Sequence, residues 1–88
     1  MFEFEPDRPR WQQIADVIRQ RIQSGAYPPK HLVSELSLVQ EFGVARDTAR
    51  KAVRALREEG LLYTVPHLGS FVGQRAEPDP TGDQPPNG

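Results

Sequence analysis

The chain has 88 residues, with 11 Lys or Arg against 12 Asp or Glu, no Cys and a net charge of −1. That length holds one small domain, which buries only roughly 60% of the surface its unfolded chain exposes. The missing cysteine excludes disulfide frameworks, thiolate zinc sites and cysteine nucleophiles, and suits a reducing cytoplasm.

No apolar run reaches the length of about 18 residues that a membrane span needs. The acidic start, MFEFEPDRPR, is not a secretory signal. The charge is unevenly spread. Residues 1–7 hold Glu3, Glu5 and Asp7 and no base, and residues 74–88 hold Glu77, Asp79 and Asp83 against Arg75. Between them, residues 8–73 hold ten Lys or Arg and six Asp or Glu, a net of +4. A basic middle with acidic ends points to a polyanionic partner, because the local field governs binding rather than the whole-chain charge.

In chain order, residues 1–8 read as an irregular N-terminal arm around Pro6, with Phe2 and Phe4 either packed on the domain or loose. A helix follows, with Trp11, Ile14, Ala15, Ile18 and Ile22 on one apolar face. Arg19 and Arg21 read as solvated. Ser24-Gly25 stops this helix and Pro28-Pro29 prevents its resumption. Tyr27 to Val33 is a connector in which Leu32-Val33 allows a very short strand. Ser34 is an N-cap candidate, since its hydroxyl can accept from free backbone N–H groups two or three residues on. The second helix is expected over 35–42, burying Leu38, Val39 and Phe42 and leaving Leu36 off the stripe. Gly43 supplies the left-handed residue that ends a helix, and Val44 tucks beneath the turn.

A third helix is expected over about 46–59. Ala49, Ala52, Val53 and Leu56 form its apolar stripe, while Arg46, Arg50, Arg54 and Arg57 share another face with Lys51 beside them. Gly60 ends it. A tight turn followed by a helix with one apolar and one basic face is a helix-turn-helix signature, in which the second helix enters the DNA major groove. Leu61 to Val65 is then a strand, residues 66–69 a turn, and Ser70-Phe71-Val72 a returning strand that leans on the helices through Leu61, Tyr63 and Phe71. The predicted fold is mainly α with a small β-hairpin: a winged helix-turn-helix of three helices and a two-stranded wing over 9–73. Residues 74–88 hold four prolines and two glycines with no large apolar side chain, and read as a disordered acidic Pro-rich tail.

With these elements in view, the chain resembles the DNA-binding domain of the GntR family of bacterial transcription regulators. Pro9-Arg10-Trp11-Gln12-Gln13-Ile14-Ala15 is similar to the family's Pro-Leu-Tyr-x-Gln-Ile-Ala. Ser24-Gly25-Ala26-Tyr27-Pro28-Pro29 is similar to Ser-Gly-x-Tyr-x-Pro-Gly, and Leu32, Ser34 and Glu35 match Leu-Pro-Ser-Glu. The run from Phe42 to Arg50 resembles Tyr-Gly-Val-Ser-Arg-x-Thr-Val-Arg. Glu59-Gly60-Leu61 and Gly69-Ser70-Phe71-Val72 agree with Glu-Gly-Leu and Gly-Thr-Phe-Val. The resemblance implies that Arg46 and Arg50 reach DNA with Thr48 between them. An arginine can grip guanine O6 and N7 with two parallel hydrogen bonds, and a threonine near a helix start can hold a phosphate or a base edge. Lys51 and Arg54, like Arg57, suit phosphate contact or plain solvation. His67 suits a turn or a DNA contact. The candidate DNA-binding set is Ser34, Arg46, Thr48, Arg50, Lys51, Arg54, His67 and Gly69.

Departures from the family pattern also stand out. Lys30 and His67 replace glycines, Ala45 replaces the serine cap of the third helix, and Leu36 sits where many members carry an arginine that helps at the DNA. Family members continue into a larger domain that binds an effector and dimerises, whereas here an acidic tail follows, which fits either an excised domain or a naturally short regulator, with the native look of the tail favouring the latter. The implied partner is double-stranded DNA, a pseudo-palindromic operator, bound by a weak or DNA-assisted homodimer in the cytoplasm at the nucleoid. No small-molecule effector site, cofactor or metal is expected in this chain. A rival reading is a winged-helix module that binds protein. An enzyme is not expected: paired carboxylates in a cleft pattern and a Gly-rich phosphate loop are both lacking, and the two histidines, His31 and His67, lie far apart in sequence.

Overall fold

A computed structural model of the chain describes residues 2–73. The tail expected over 74–88 lies outside the described residues. The elements run α1 (Arg10–Gln23), β1 (Leu32–Val33), α2 (Glu35–Phe42), α3 (Arg46–Glu58), β2 (Leu62–Val65) and β3 (Gly69–Val72).

The helices begin and end for local reasons. The Ser34 hydroxyl accepts from the Ser37 N–H at 3.3 Å and so caps α2. Gly43 closes that helix at φ 65°, ψ 41°, its N–H donating to the Val39 carbonyl at 2.9 Å. Only a residue without Cβ takes this left-handed position at no steric penalty. Three residues later α3 starts without a side-chain cap, because the Ala45 side chain has no oxygen to offer, and Asp47 supplies a negative charge in the first turn.

The core forms where the helical stripes meet. Ile14, Ala15 and Ile18 of α1 pack with Leu38 and Phe42 of α2, with Val44 of the turn, and with Ala49, Ala52, Val53 and Leu56 of α3. The alanines let α1 and α3 approach closely, and each large buried side chain contributes roughly 1.5–3 kcal/mol.

The wing differs from the expected two-stranded hairpin. The sheet has three antiparallel strands in the order β1-β3-β2. Leu32 and Val33 pair with Phe71 and Ser70, so the connector is stitched to the wing. A lone hairpin is marginal in water, and a third strand with a buried face gives it support. The face assignment is also corrected. β2 begins at Leu62 rather than Leu61; Leu61 packs half-buried against the core as expected, but in the strands it is Leu62, Val72 and Val33, rather than Tyr63 and Phe71, that turn inward. Tyr63 and Phe71 pair opposite each other on the outer face, ring centroids 5.8 Å apart. Side chains alternate along a strand, so a one-residue shift of register exchanges the two faces.

The arm is packed. Phe2 and Phe4 set their rings 5.1 and 6.3 Å from the Phe42 ring. The buried Gln13 amide holds the arm's backbone, donating to the carbonyls of Glu5 and Arg8 and accepting from the Glu5 N–H. Arg19 and Arg21, expected to be solvated, are ion-paired instead. Arg19 joins α1 to the end of α3 through a two-pronged bond to Glu59 and also pairs with Asp16. Arg21 joins α1 to α2 through Glu41. These arginines hold the Asp16, Glu41 and Glu59 carboxyls below their usual range, with the Arg8 hydrogen bond the largest influence on Asp16.

Candidate nucleic-acid interface

The side of α3 opposite its buried stripe carries the predicted cations. Arg46, Arg50, Lys51, Arg54 and Arg57 are all exposed, and Thr48 is half-buried at the helix start. The arginines of the opening two turns are not free rotors. Arg50 donates to Asp47 at 3.1 Å, and Glu35 of α2 places one carboxylate oxygen 3.7 Å from Arg46 and 3.9 Å from Arg50. A carboxylate between two guanidiniums biases both towards one orientation, at little net energy because all three groups are solvated. No salt bridge involves Lys51 or Arg54 among the described residues, which leaves both ammonium and guanidinium groups available to an external anion.

Arg57 is exposed, as expected, and also makes a contact that the sequence did not announce. It donates to the Thr64 hydroxyl at 3.0 Å, and Thr64 shares a hydrogen bond of 3.0 Å with the buried Ser70. Arg57 therefore ties the last turn of α3 to the wing. Between helix and wing lies a cleft of about 220 Å³ lined by Arg50, Arg54, Arg57 and Glu35. A second cleft of about 270 Å³ opens at the start of α3, lined by Ser34, Glu35, Arg46 and Gly69. The structure thus gathers Ser34, Arg46, Arg50, Arg54 and Gly69 around one side of the molecule, with Glu35 common to both clefts.

Two members of the candidate set have evident structural duties. Ser34 caps α2. Gly69 stands at φ 125°, and a Cβ there would meet the Leu32 Cδ1 atom at 2.9 Å. His67 lies exposed at the wing turn with φ 68°. Glu35, which the sequence offered only as part of the Leu-Pro-Ser-Glu match, is the addition to the site. Its proximity to Arg46 and Arg50 is a contact between two helices, which no spacing within either could reveal. Among the described residues no helix is long and apolar enough to cross a membrane, and no three acidic or imidazole side chains gather as a metal site would require.

The family model described as "Bacterial regulatory proteins, gntR family" matches residues 10–72. The chain belongs to the GntR family. Among curated GntR-type relatives, the histidine utilization repressor of Pseudomonas aeruginosa is 39% identical over 71 residues, which is 80% of this chain and 28% of that protein. The mannosyl-D-glycerate transport/metabolism system repressor MngR of Escherichia coli is 41% identical over 66 residues, 74% of this chain and 28% of that protein. The chain spans just over a quarter of the length of these relatives. The crystal structure of AraR(DBD) in complex with operator ORR3 superposes with a TM-score of 0.72 at 36% identity, covering 83% of this chain and 89% of that one. The fold is therefore the winged helix-turn-helix of GntR DNA-binding domains.

Proposed function

We propose that this chain binds double-stranded DNA with sequence preference and serves transcription regulation, with residues 9–73 as the binding domain. One observation carries the proposal: α3 presents Arg46, Arg50, Lys51 and Arg54 on a single exposed face, on the same fold as a DNA-binding domain crystallised with its operator. In this reading α3 enters the major groove. Arg46 and Arg50, near its start, read base edges with Thr48 between them, and Lys51 and Arg54 meet phosphates. Ser34, His67 and Gly69 border the DNA from the α2 cap and the wing. No catalytic step, cofactor or effector site is assigned to this chain, and a cytoplasmic location at the nucleoid follows from the function.

One recognition helix of 13 residues is about 20 Å long and reads only a few base pairs. Such a site is too short to select against a genome of competitors, so two copies on a pseudo-palindrome are proposed. Copies held together by a small surface associate weakly alone and more strongly on shared DNA.

The test is selection of a preferred duplex by the purified protein, followed by titration of variants. Arg46→Ala and Arg50→Ala are each expected to weaken the selected site by about 1–3 kcal/mol and relax base preference, whereas Arg57→Ala acts nearly equally on all sequences. Affinity should fall steeply with salt through counterion release. Sedimentation is expected to give a monomer or weak dimer alone and two copies on the duplex. Site preference indifferent to both Arg46→Ala and Arg50→Ala would refute the assignment, and a failure to bind any duplex at low salt would favour the protein-binding alternative.

A further inference from the structure

Three large apolar side chains remain exposed on the described surface: Leu32 at 47%, Leu36 at 54% and Leu68 at 66%. They come from three separate places, β1, the first turn of α2 and the turn of the wing. Isolated exposed leucines need no explanation, but these line one and the same cleft, and Arg46 lines it too. The apolar patch is therefore continuous with the start of the basic helix. Leu36 directly follows Glu35, the residue that stands 3.7 Å from Arg46.

We infer that Leu36 is a specificity-determining residue that reads thymine by its C5-methyl group, with Leu32 and Leu68 forming the apolar wall around it. The inference rests on the DNA-binding function proposed above. A leucine has no donor or acceptor, so it cannot join the hydrogen-bond code of the major groove. The one apolar feature that code offers is the thymine methyl group. An occupant must also tolerate the arginine at the rim, and DNA satisfies both halves of the cleft at once: a methyl group for the leucines and a base edge or phosphate for Arg46. The resemblance drawn from the sequence places an arginine at this position in many relatives. Leucine there cannot donate a hydrogen bond and so leaves a preference for thymine, next to the base proposed for Arg46.

The experiment uses the full chain and its selected duplex, with each thymine replaced in turn by deoxyuridine, which deletes only the methyl group. At one thymine per half-site the replacement is expected to weaken binding about three- to five-fold, the scale of one buried methyl contact. Leu36→Ala should erase that difference while leaving the melting temperature and the response at other thymines unchanged. Leu36→Arg should shift selection at the same position from thymine to guanine. Tight, salt-sensitive binding that ignores every deoxyuridine would overturn this inference alone, as would a Leu36→Ala protein that keeps the full loss. If Leu36→Ala instead changes self-association and leaves methyl sensitivity intact, the cleft is an interface between copies and the inference fails. Absence of binding to any duplex at low salt would overturn the DNA function and this inference together.

Discussion

Replacing Lys30 or His67 by glycine is expected to stabilise the domain. Both residues hold left-handed backbone, at φ 72° and 68°. Each occupies the third position of a turn with proline second. The His31 N–H donates to the Pro28 carbonyl at 3.0 Å around Pro29-Lys30, and the Leu68 N–H donates to the Val65 carbonyl at 3.0 Å around Pro66-His67. This is the type II pattern, whose third residue is normally glycine. A residue with Cβ in this region costs about 1–2 kcal/mol. Glycine removes that strain but adds about 0.4–1 kcal/mol of unfolded-state entropy to be lost on folding. The difference leaves a net gain of roughly 0.5–1 kcal/mol per site, smaller at His67 because histidine tolerates this region better than lysine. For a domain of this size that gain raises the melting temperature by about 2–8 °C. Thermal unfolding followed by circular dichroism reads it directly, and the double variant should add, since among the described residues no side-chain hydrogen bond or ion pair joins the two turns. Melting temperatures at or below the parent's for both variants would refute the strain argument. Duplex titration of His67→Gly then separates two roles: unchanged affinity with higher stability assigns His67 to the turn, and lost affinity assigns it to DNA.

Gly69→Ala is expected to destabilise by about 1–3 kcal/mol through backbone strain at φ 125°, with little from the 2.9 Å contact because the end of the Leu32 side chain can rotate away; urea unfolding measures it. Gln13→Ala releases three hydrogen bonds to the arm and should cost about 1–2 kcal/mol, with Phe2 and Phe4 becoming accessible to proteolysis at the arm. Asp16, Glu41 and Glu59 have folded-state values below their unfolded ones, so their contribution is complete above the ordinary carboxylate range and is lost as pH falls through the lowered values. Solvent screening limits the Arg19–Glu59 and Arg21–Glu41 pairs to under about 1 kcal/mol each, so stability should be level from about pH 5 to 7 and decline below about pH 4, less steeply in Arg19→Met and Arg21→Met.

The strongest local patterns were readable from the residues alone. The α3 stripe of Ala49, Ala52, Val53 and Leu56 follows from helical periodicity, and all four are buried. Ser34 and Gly43 announce a cap and a left-handed stop, because a hydroxyl before a helix and a missing Cβ after it act through bonds within a few residues. The ordered motifs also sufficed for the family. What escaped the sequence depends on contacts between distant segments. The pairing of Leu32-Val33 with Phe71 and Ser70 needs two strands nearly forty residues apart, and no two-residue strand declares its partner. The inward turn of Leu62 and Val72 required the register, which a shift of one residue reverses. Arg19 and Arg21 read as solvated because Glu59 and Glu41 lie on other helices. For the same reason only the tertiary structure could set Glu35 between Arg46 and Arg50, and bring three exposed leucines from three elements to one cleft at the start of the basic helix.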